Sequence, residues 1–230
     1  MQPRLKALGE GWMVMEKPCG MSIHNTPGQD LISFASALLP EEAGKARPGK
    51  GAPFGLHPVH RIDAETSGLV LLAFHRDVFR SLSLQFENHQ VEKEYLALVH
   101  GVPEERGHWA FPLSSRAEGR KNPQGTGHLQ ICETSYAVLR ASERHALLRC
   151  SLRTGRTHQI RRHAALAGHP LAGDTRYAPT RALAFLKKNW PDMRLGLQAQ
   201  KLSFKPPESA SPLTLEIPDI PQAFMHLLAL

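Results

Sequence analysis

With 230 residues, 41% of them hydrophobic and 21% charged, the chain can bury a substantial core, which excludes a disordered or fibrous protein. A formal net charge of +7 makes nucleic acid the leading partner class, with an anionic membrane surface second. Cys19, Cys132 and Cys150 are odd in number and contain no CxxC pair, which excludes a disulfide framework and a cysteine zinc site and fits a reducing cytosol. The N-terminal MQPRLKALGEGW lacks the apolar stretch of a signal peptide, and no run of about 18 apolar residues could span a bilayer. A cytoplasmic protein is expected.

The elements follow in chain order. Residues 12–15 (Trp-Met-Val-Met) read as a strand that meets a turn at Lys17-Pro18-Cys19-Gly20. Apolar residues at 31, 34, 35, 38 and 39 predict a helix from Leu31 to Leu39, with Asp30 as N-cap. Residues 41–55, rich in Gly, Pro and Lys/Arg, read as a mobile surface loop within one domain, because the apolar segments on either side are too short to form separate cores. The uninterrupted run Leu69–Phe74 suits a strand buried on both faces, and Val78, Phe79, Leu82 and Phe86 share one face of a helix over Arg76–Phe86.

Glu94–His100 reads as a strand, and residues 104–130 as loops or a ragged hairpin. Thr134–Leu139 and Ala146–Leu152 are strands, the second with alternation of Ala146, Leu148, Cys150 and Leu152. Thr157–Ala167 predicts a helix capped by Thr157 and ended by Gly168, and Thr180–Asn189 a further helix. Lys201–Lys205 and Leu213–Ile217 form a closing strand pair. Strands that can pair with their sequence neighbours outnumber helices, which predicts α+β architecture: a mixed, largely antiparallel sheet with flanking helices.

Two stretches carry chemistry. In His60-Arg61-Ile62-Asp63-Ala64-Glu65-Thr66-Ser67-Gly68-Leu69-Val70-Leu71-Leu72-Ala73, Asp63 sits in a loop at the mouth of a core strand. Catalytic groups are often held this way, and the cation of Arg61 favours the ionised carboxylate. The alternative is an aspartate that bonds its own backbone and shapes the turn. The second stretch is Arg153-Thr154-Gly155-Arg156-Thr157-His158-Gln159-Ile160-Arg161-Arg162-His163. Placed after a strand and opening a helix, its arginines would suit an anion site; a solvated basic helix face is the alternative.

The first stretch resembles the signature HRLD-x-x-TSGLLLLA of the RluA-type pseudouridine synthases. The second resembles that family's RTGRTHQIRxH, and its continuation Gly168-His169-Pro170-Leu171-Ala172-Gly173-Asp174-Thr175-Arg176-Tyr177 is similar to GHPI-x-GD-x-x-Y. Lys17-Pro18-x-Gly20, the segment Lys93–Gly101 and Leu202–Pro206 resemble further family elements, so the likeness runs from about residue 12 to about residue 217.

The resemblance implies a pseudouridine synthase fold with a central RNA-binding cleft, formed by a single catalytic domain over 1–230 without the S4-type RNA-binding module. It implies isomerisation of uridine in ribosomal or transfer RNA, with no cofactor, no metal and no obligate protein partner; a monomer suffices. Asp63 would be the catalytic residue, acting at the ribose or at the base. Tyr95 would stack on the base and take the C5 proton, and Arg161 would pair with the catalytic carboxylate. Arg61 would fill the space left by a flipped base. His60, Thr66, Lys93, Arg156, His158, Gln159 and Arg162 are candidate substrate-binding residues, the last several through phosphate contact or support of the pocket. Two departures stand out: Phe74 where the family has a basic residue, and Leu197-Gln198-Ala199 where it has Leu-His-Ala.

Two other readings compete. His57, His60 and Asp63 at three-residue intervals suggest a metal-dependent hydrolase, although Pro58 argues for a loop. A non-catalytic RNA-binding protein explains the basic surface but gives Asp63 no purpose.

Overall fold

The computed structural model describes residues 2–39 and 54–229; of the 41–55 segment only Phe54 and Gly55 lie within the described residues. The chain forms two compact units, Met1–Glu92 with Lys201–Ile217, and Lys93–Gln200 with Pro218–Leu230.

In the first unit, β1 (Arg4–Gly9), β2 (Trp12–Lys17), α1 (Leu31–Ser36), β3 (His57–Pro58), β4 (Ser67–Ala73) and α2 (Arg76–Glu87) follow one another. β1 pairs antiparallel with β2, from Arg4↔Glu16 to Gly9↔Trp12. β2 pairs antiparallel with β4, from Trp12↔Ala73 to Lys17↔Gly68. The apolar run of β4 is buried on both faces, as its sequence requires. One face receives α2 through Val78, Phe79, Leu82 and Phe86, which pack in a core with Leu69, Leu71 and Ala73. Burying each large aliphatic side chain contributes about 1.5–3 kcal/mol, so the leucines of β4 anchor it firmly in this unit. Asp30 caps α1 by accepting from Ser33 N at 2.9 Å, and that helix stops at Ser36, a turn short of the predicted Leu39.

The second unit begins in β5 (Glu92–His100) and continues through β6 (Arg106–Trp109), β7 (Leu113–Arg116), β8 (Thr126–Gln130), β9 (Thr134–Ala141), β10 (His145–Leu152), α3 (Gln159–Leu166) and α4 (Thr180–Asn189). β10 lies between β5 and β9, antiparallel to both, and β6 joins the far edge of β9. β7 and β8 pair as a separate two-stranded sheet. α4 and α5 (Gln222–Leu228) close over β5 and β10, with Leu186, Phe224, Leu227 and Leu228 against Leu96, Leu98 and Leu147.

β11 (Leu197–Phe204) contributes its first half to the second unit and its second half to the first, where β12 (Leu213–Glu216) pairs with it. The architecture is the expected α+β class, with strands in largely antiparallel pairing and flanking helices.

The structure corrects several element expectations. β1 and α5 are additional, and residues 104–130 contain an edge strand, β6, besides the hairpin β7–β8. β10 is buried on both faces over His145–Leu148, and its alternation shows only beyond that, where Arg149 and Ser151 are exposed on either side of buried Cys150. α3 is not capped by Thr157. Its N-cap is His158, held left-handed at φ 55° with no capping side-chain bond, while Gly168 at φ +83° follows its end as expected.

Candidate active site

The Asp63 loop is fixed through its backbone. Upstream, β3 runs along β4, and Val59 N–H donates to Leu71 O at 2.9 Å. His60 then continues this ladder with its side chain: its Nε2 accepts the Leu71 N–H at 3.0 Å, which places its own proton on Nδ1. The His60 ring stacks on Phe86, 4.8 Å between centroids. Within the loop, Thr66 N–H donates to Asp63 O at 3.1 Å, closing a four-residue turn, and Thr66 is buried. The turn after β2 grips this loop from outside, with Gly20 N–H and the Cys19 thiol donating to Ala64 O and Glu65 O, both at 2.8 Å.

Beneath the loop lies Lys17, fully buried. Its ammonium donates to Pro18 O (3.0 Å), Met21 O (2.8 Å) and Ala64 O (2.9 Å), which uses all three N–H bonds. Burial pulls its pKa down to about 8, against the opposing pull of the neighbouring Cys19 and Asp63. Asp63 is half-buried, while Arg61 is exposed, and Ile62 between them is buried as an anchor. The loop therefore carries the half-buried Asp63 carboxylate and the exposed side chains of Arg61 and Glu65 on a backbone held by hydrogen bonds.

In the second unit, the Arg153–His163 stretch is not a uniform basic surface. Arg153 and Arg156 are exposed, whereas Gln159, Arg161, Arg162 and His163 are buried in α3. Arg162 donates to Ser114 O (2.9 Å), Thr157 O (3.1 Å), Pro123 O (2.5 Å) and Gln124 O, so its fork serves backbone carbonyls. Gln159 links Glu133 O and Thr134 Oγ1 with its amide, and its oxygen accepts from Thr154 Oγ1 and Arg156 N. Of the two roles expected for these side chains, phosphate contact or support, such bonding is that of support. His60, expected among the substrate-binding residues, uses its Nε2 to brace β4.

Arg161 is held by a different partner. Its Nε and Nη2 donate to the two oxygens of Asp174 at 2.8 and 2.9 Å, with both side chains buried. The Tyr177 ring lies 5.4 Å from the guanidinium carbon, and its hydroxyl is hydrogen-bonded to His158 Nδ1 at 2.9 Å. Burial raises the Tyr177 pKa and keeps the phenol protonated. Tyr95 sits on β5 opposite Cys150, nearly buried. The Lys93 ammonium lies beside Gly155, 3.9 Å from where a Cβ would stand, and its pKa is lowered by burial.

The structure thus places His60, Arg61, Asp63 and Thr66 in one unit with Lys17, and Lys93, Tyr95, Arg156, His158, Gln159, Arg161 and Arg162 in the other with Asp174 and Tyr177. Lys17 and Asp174 had no role assigned from sequence; their only signal was membership of the KP-x-G and GD-x-x-Y stretches. Nothing in this arrangement supports the hydrolase reading. His60 Nε2 is committed to Leu71, His57 Nε2 lies 2.7 Å from Phe54 O, and among the described residues no group of three His, Cys, Asp or Glu could hold a metal ion.

Comparison with known proteins agrees with the signatures. Residues 11–166 match the model of the RNA pseudouridylate synthase family. The chain is 33% identical over 225 residues to the ribosomal large subunit pseudouridine synthase D of Zymomonas mobilis, covering 93% of this chain and 68% of that protein. It is 32% identical over 216 residues to the tRNA pseudouridine synthase C of Haemophilus ducreyi, covering 88% and 85%. Its fold is similar to that of human RNA pseudouridylate synthase domain containing 4, with a TM-score of 0.75 at 23% identity over 98% of this chain and 91% of that one. With two long signatures in order and both relatives aligned along most of its length, the chain belongs to the RNA pseudouridylate synthase family and is an RNA pseudouridine synthase.

Proposed function

We propose that this protein isomerises specific uridines in structured ribosomal or transfer RNA, with Asp63 as the catalytic residue. One observation supports this most directly: a half-buried carboxylate on a loop whose backbone is gripped by Lys17, Cys19, Gly20 and the His60 side chain. A reacting group placed with that rigidity needs little reorganisation to reach the transition state. The reaction breaks the N1–C1′ bond, turns the base, and forms C5–C1′. The proton lost from C5 balances the one gained at N1, so no oxidant or reductant is consumed.

In this reading Tyr95 stacks on the base and takes the C5 proton, and Arg161 supplies a cation to the reacting centre. Arg61, the exposed side chain of the loop, fills the space of the extruded base; extrusion costs a few kcal/mol and less in a loop. Arg156, Lys93, His158 and Thr66 contact the nucleotide or its phosphates, while His60, Gln159 and Arg162 hold the frame. The net charge of +7 supports a polyanionic partner, and relatives named for large-subunit ribosomal RNA and for tRNA support both RNA classes. We place the protein in the cytoplasm beside those RNAs, acting as a monomer; among the described residues no helix is long and apolar enough to cross a membrane.

The test is tritium release from RNA labelled at uracil C5, using total RNA from cells lacking the protein. Asp63→Asn should reduce turnover by about 10³-fold or more while RNA affinity stays within about twofold. Full activity in Asp63→Asn would refute the assignment, and a wild-type protein that forms no pseudouridine would refute the function.

A further inference from the structure

We propose that Asp174 is a positioning residue for Arg161, and that the segment Gly173–Tyr177 is a preformed seat for one edge of its guanidinium. This rests on the functional reading above, because it takes Arg161 to serve the reaction. A buried ion pair is by itself poor evidence of stabilisation, since desolvation offsets the attraction. The geometry of the pair is more informative than its existence.

The carboxylate is organised without help from Arg161. Asp174 Oδ1 accepts the backbone N–H of Arg176 at 2.9 Å and of Tyr177 at 3.0 Å, and the side chain is fully buried. The turn that presents it depends on Gly173, at φ +70°, where a Cβ would stand 2.1 Å from Arg194 O. Only glycine fits there. Into this fixed acceptor Arg161 places Nε and Nη2, a bidentate contact that sets the guanidinium plane. The Tyr177 ring lies against that plane at 5.4 Å and is itself tethered through its hydroxyl to His158.

A guanidinium has five N–H donors, and the seat takes two of them along one edge. The direction of the Nη1 edge is therefore decided by Asp174. Its neighbour Arg162 is as deeply buried but gives its donors to carbonyls of four residues, the bonding of a strut. Lysine could keep the charge of Arg161 but not the two-point contact.

Turnover and RNA affinity would be measured on C5-tritiated total RNA from cells lacking the protein. Asp174→Asn puts an amide where Nε–H needs an acceptor and should lower kcat by about 10–100-fold with KM within about threefold, the cost of a misaimed group. Asp174→Glu, which keeps the carboxylate, should recover part of that loss. If Asp174→Asn does not fold, free guanidinium gives the answer. Arg161→Ala leaves the seat empty, and millimolar guanidinium should restore turnover and raise Tm. The double variant Arg161→Ala/Asp174→Asn leaves no buried charge unpaired and should show neither response.

Unchanged kcat in Asp174→Asn, absence of any guanidinium effect on Arg161→Ala, or equal effects on both variants would overturn the proposal. An inactive wild type would count against the function alone. In that case the Tm response to guanidinium still decides the seat.

Discussion

Each unit of the molecule buries one cation beneath backbone carbonyls, and the two do it with different chemistry. Lys17 brings three carbonyls, of Pro18, Met21 and Ala64, to a single nitrogen, so it gathers one turn and the loop packed on it. Arg162 reaches Ser114, Pro123, Gln124 and Thr157 from three nitrogens and ties together separate stretches of chain. A point charge collects neighbours, and a planar fork spans between segments. The second difference is titration: burial lowers the pKa of both, but Lys17 falls to about 8 while a guanidinium stays protonated throughout.

Arg162→Met should break the comparison most severely. Several carbonyls would lose their donor at once, at a cost of about 3 kcal/mol or more, read as a lower urea midpoint. Arg162→Lys should recover only part, because one nitrogen cannot reach the same set.

Lys17 sharpens the contrast through pH. Its pKa is about 8 when folded against 10.5 for an ordinary lysine, so between these the folded chain has released a proton that the unfolded chain still holds. Its contribution to stability is full above 10.5 and is lost as pH falls through 8. The wild type should therefore gain on Lys17→Met by about 1 kcal/mol between about pH 8 and about pH 9, whereas Arg162→Met should show no such slope against wild type.

The smallest effect lies on the acid side of the second unit. His100 and His145 face each other across β5 and β10, 5.0 Å between ring centroids, with His100 Nε2 and both His145 nitrogens buried and unpartnered. Burial first, and then the His145 charge, push His100 down to about 4 from 6.5, and burial lowers His145 too. This contribution is full above 6.5 and is lost as pH falls toward 4. His145→Phe should lose less stability than wild type between about pH 7 and about pH 5 in urea titrations. An equal loss would remove His145 from the acid response.

Legibility in the sequence followed the range of the forces involved. β4, α2 and the Asp30 cap are local patterns, and each appears where the apolar spacing puts it. β1 escapes because it is largely exposed and Arg4 and Lys6 interrupt its apolar residues; β6 escapes because Arg-Gly-His-Trp carries no strand pattern of its own. In the candidate site the spelling of the two signatures pointed to the residues but not to their depth. Arg156 and Arg162 look alike in sequence, and only acceptors as distant as Ser114 make one a strut while the other is exposed. The left-handed His158 is equally invisible, since it is tied by Tyr177 from beyond the helix.

The division of β11 has a consequence for synthesis. The first unit is built from Met1–Glu92 and Lys201–Ile217, so the strand that flanks β4 leaves the ribosome only after the whole of Lys93–Gln200. At about 5–20 residues per second, that interval lasts roughly 5–20 s, during which the apolar edge of β4 stands without its neighbour. Nascent chains of this protein are exposed to wrong strand pairing in that window, and shielding by a chaperone would matter most there.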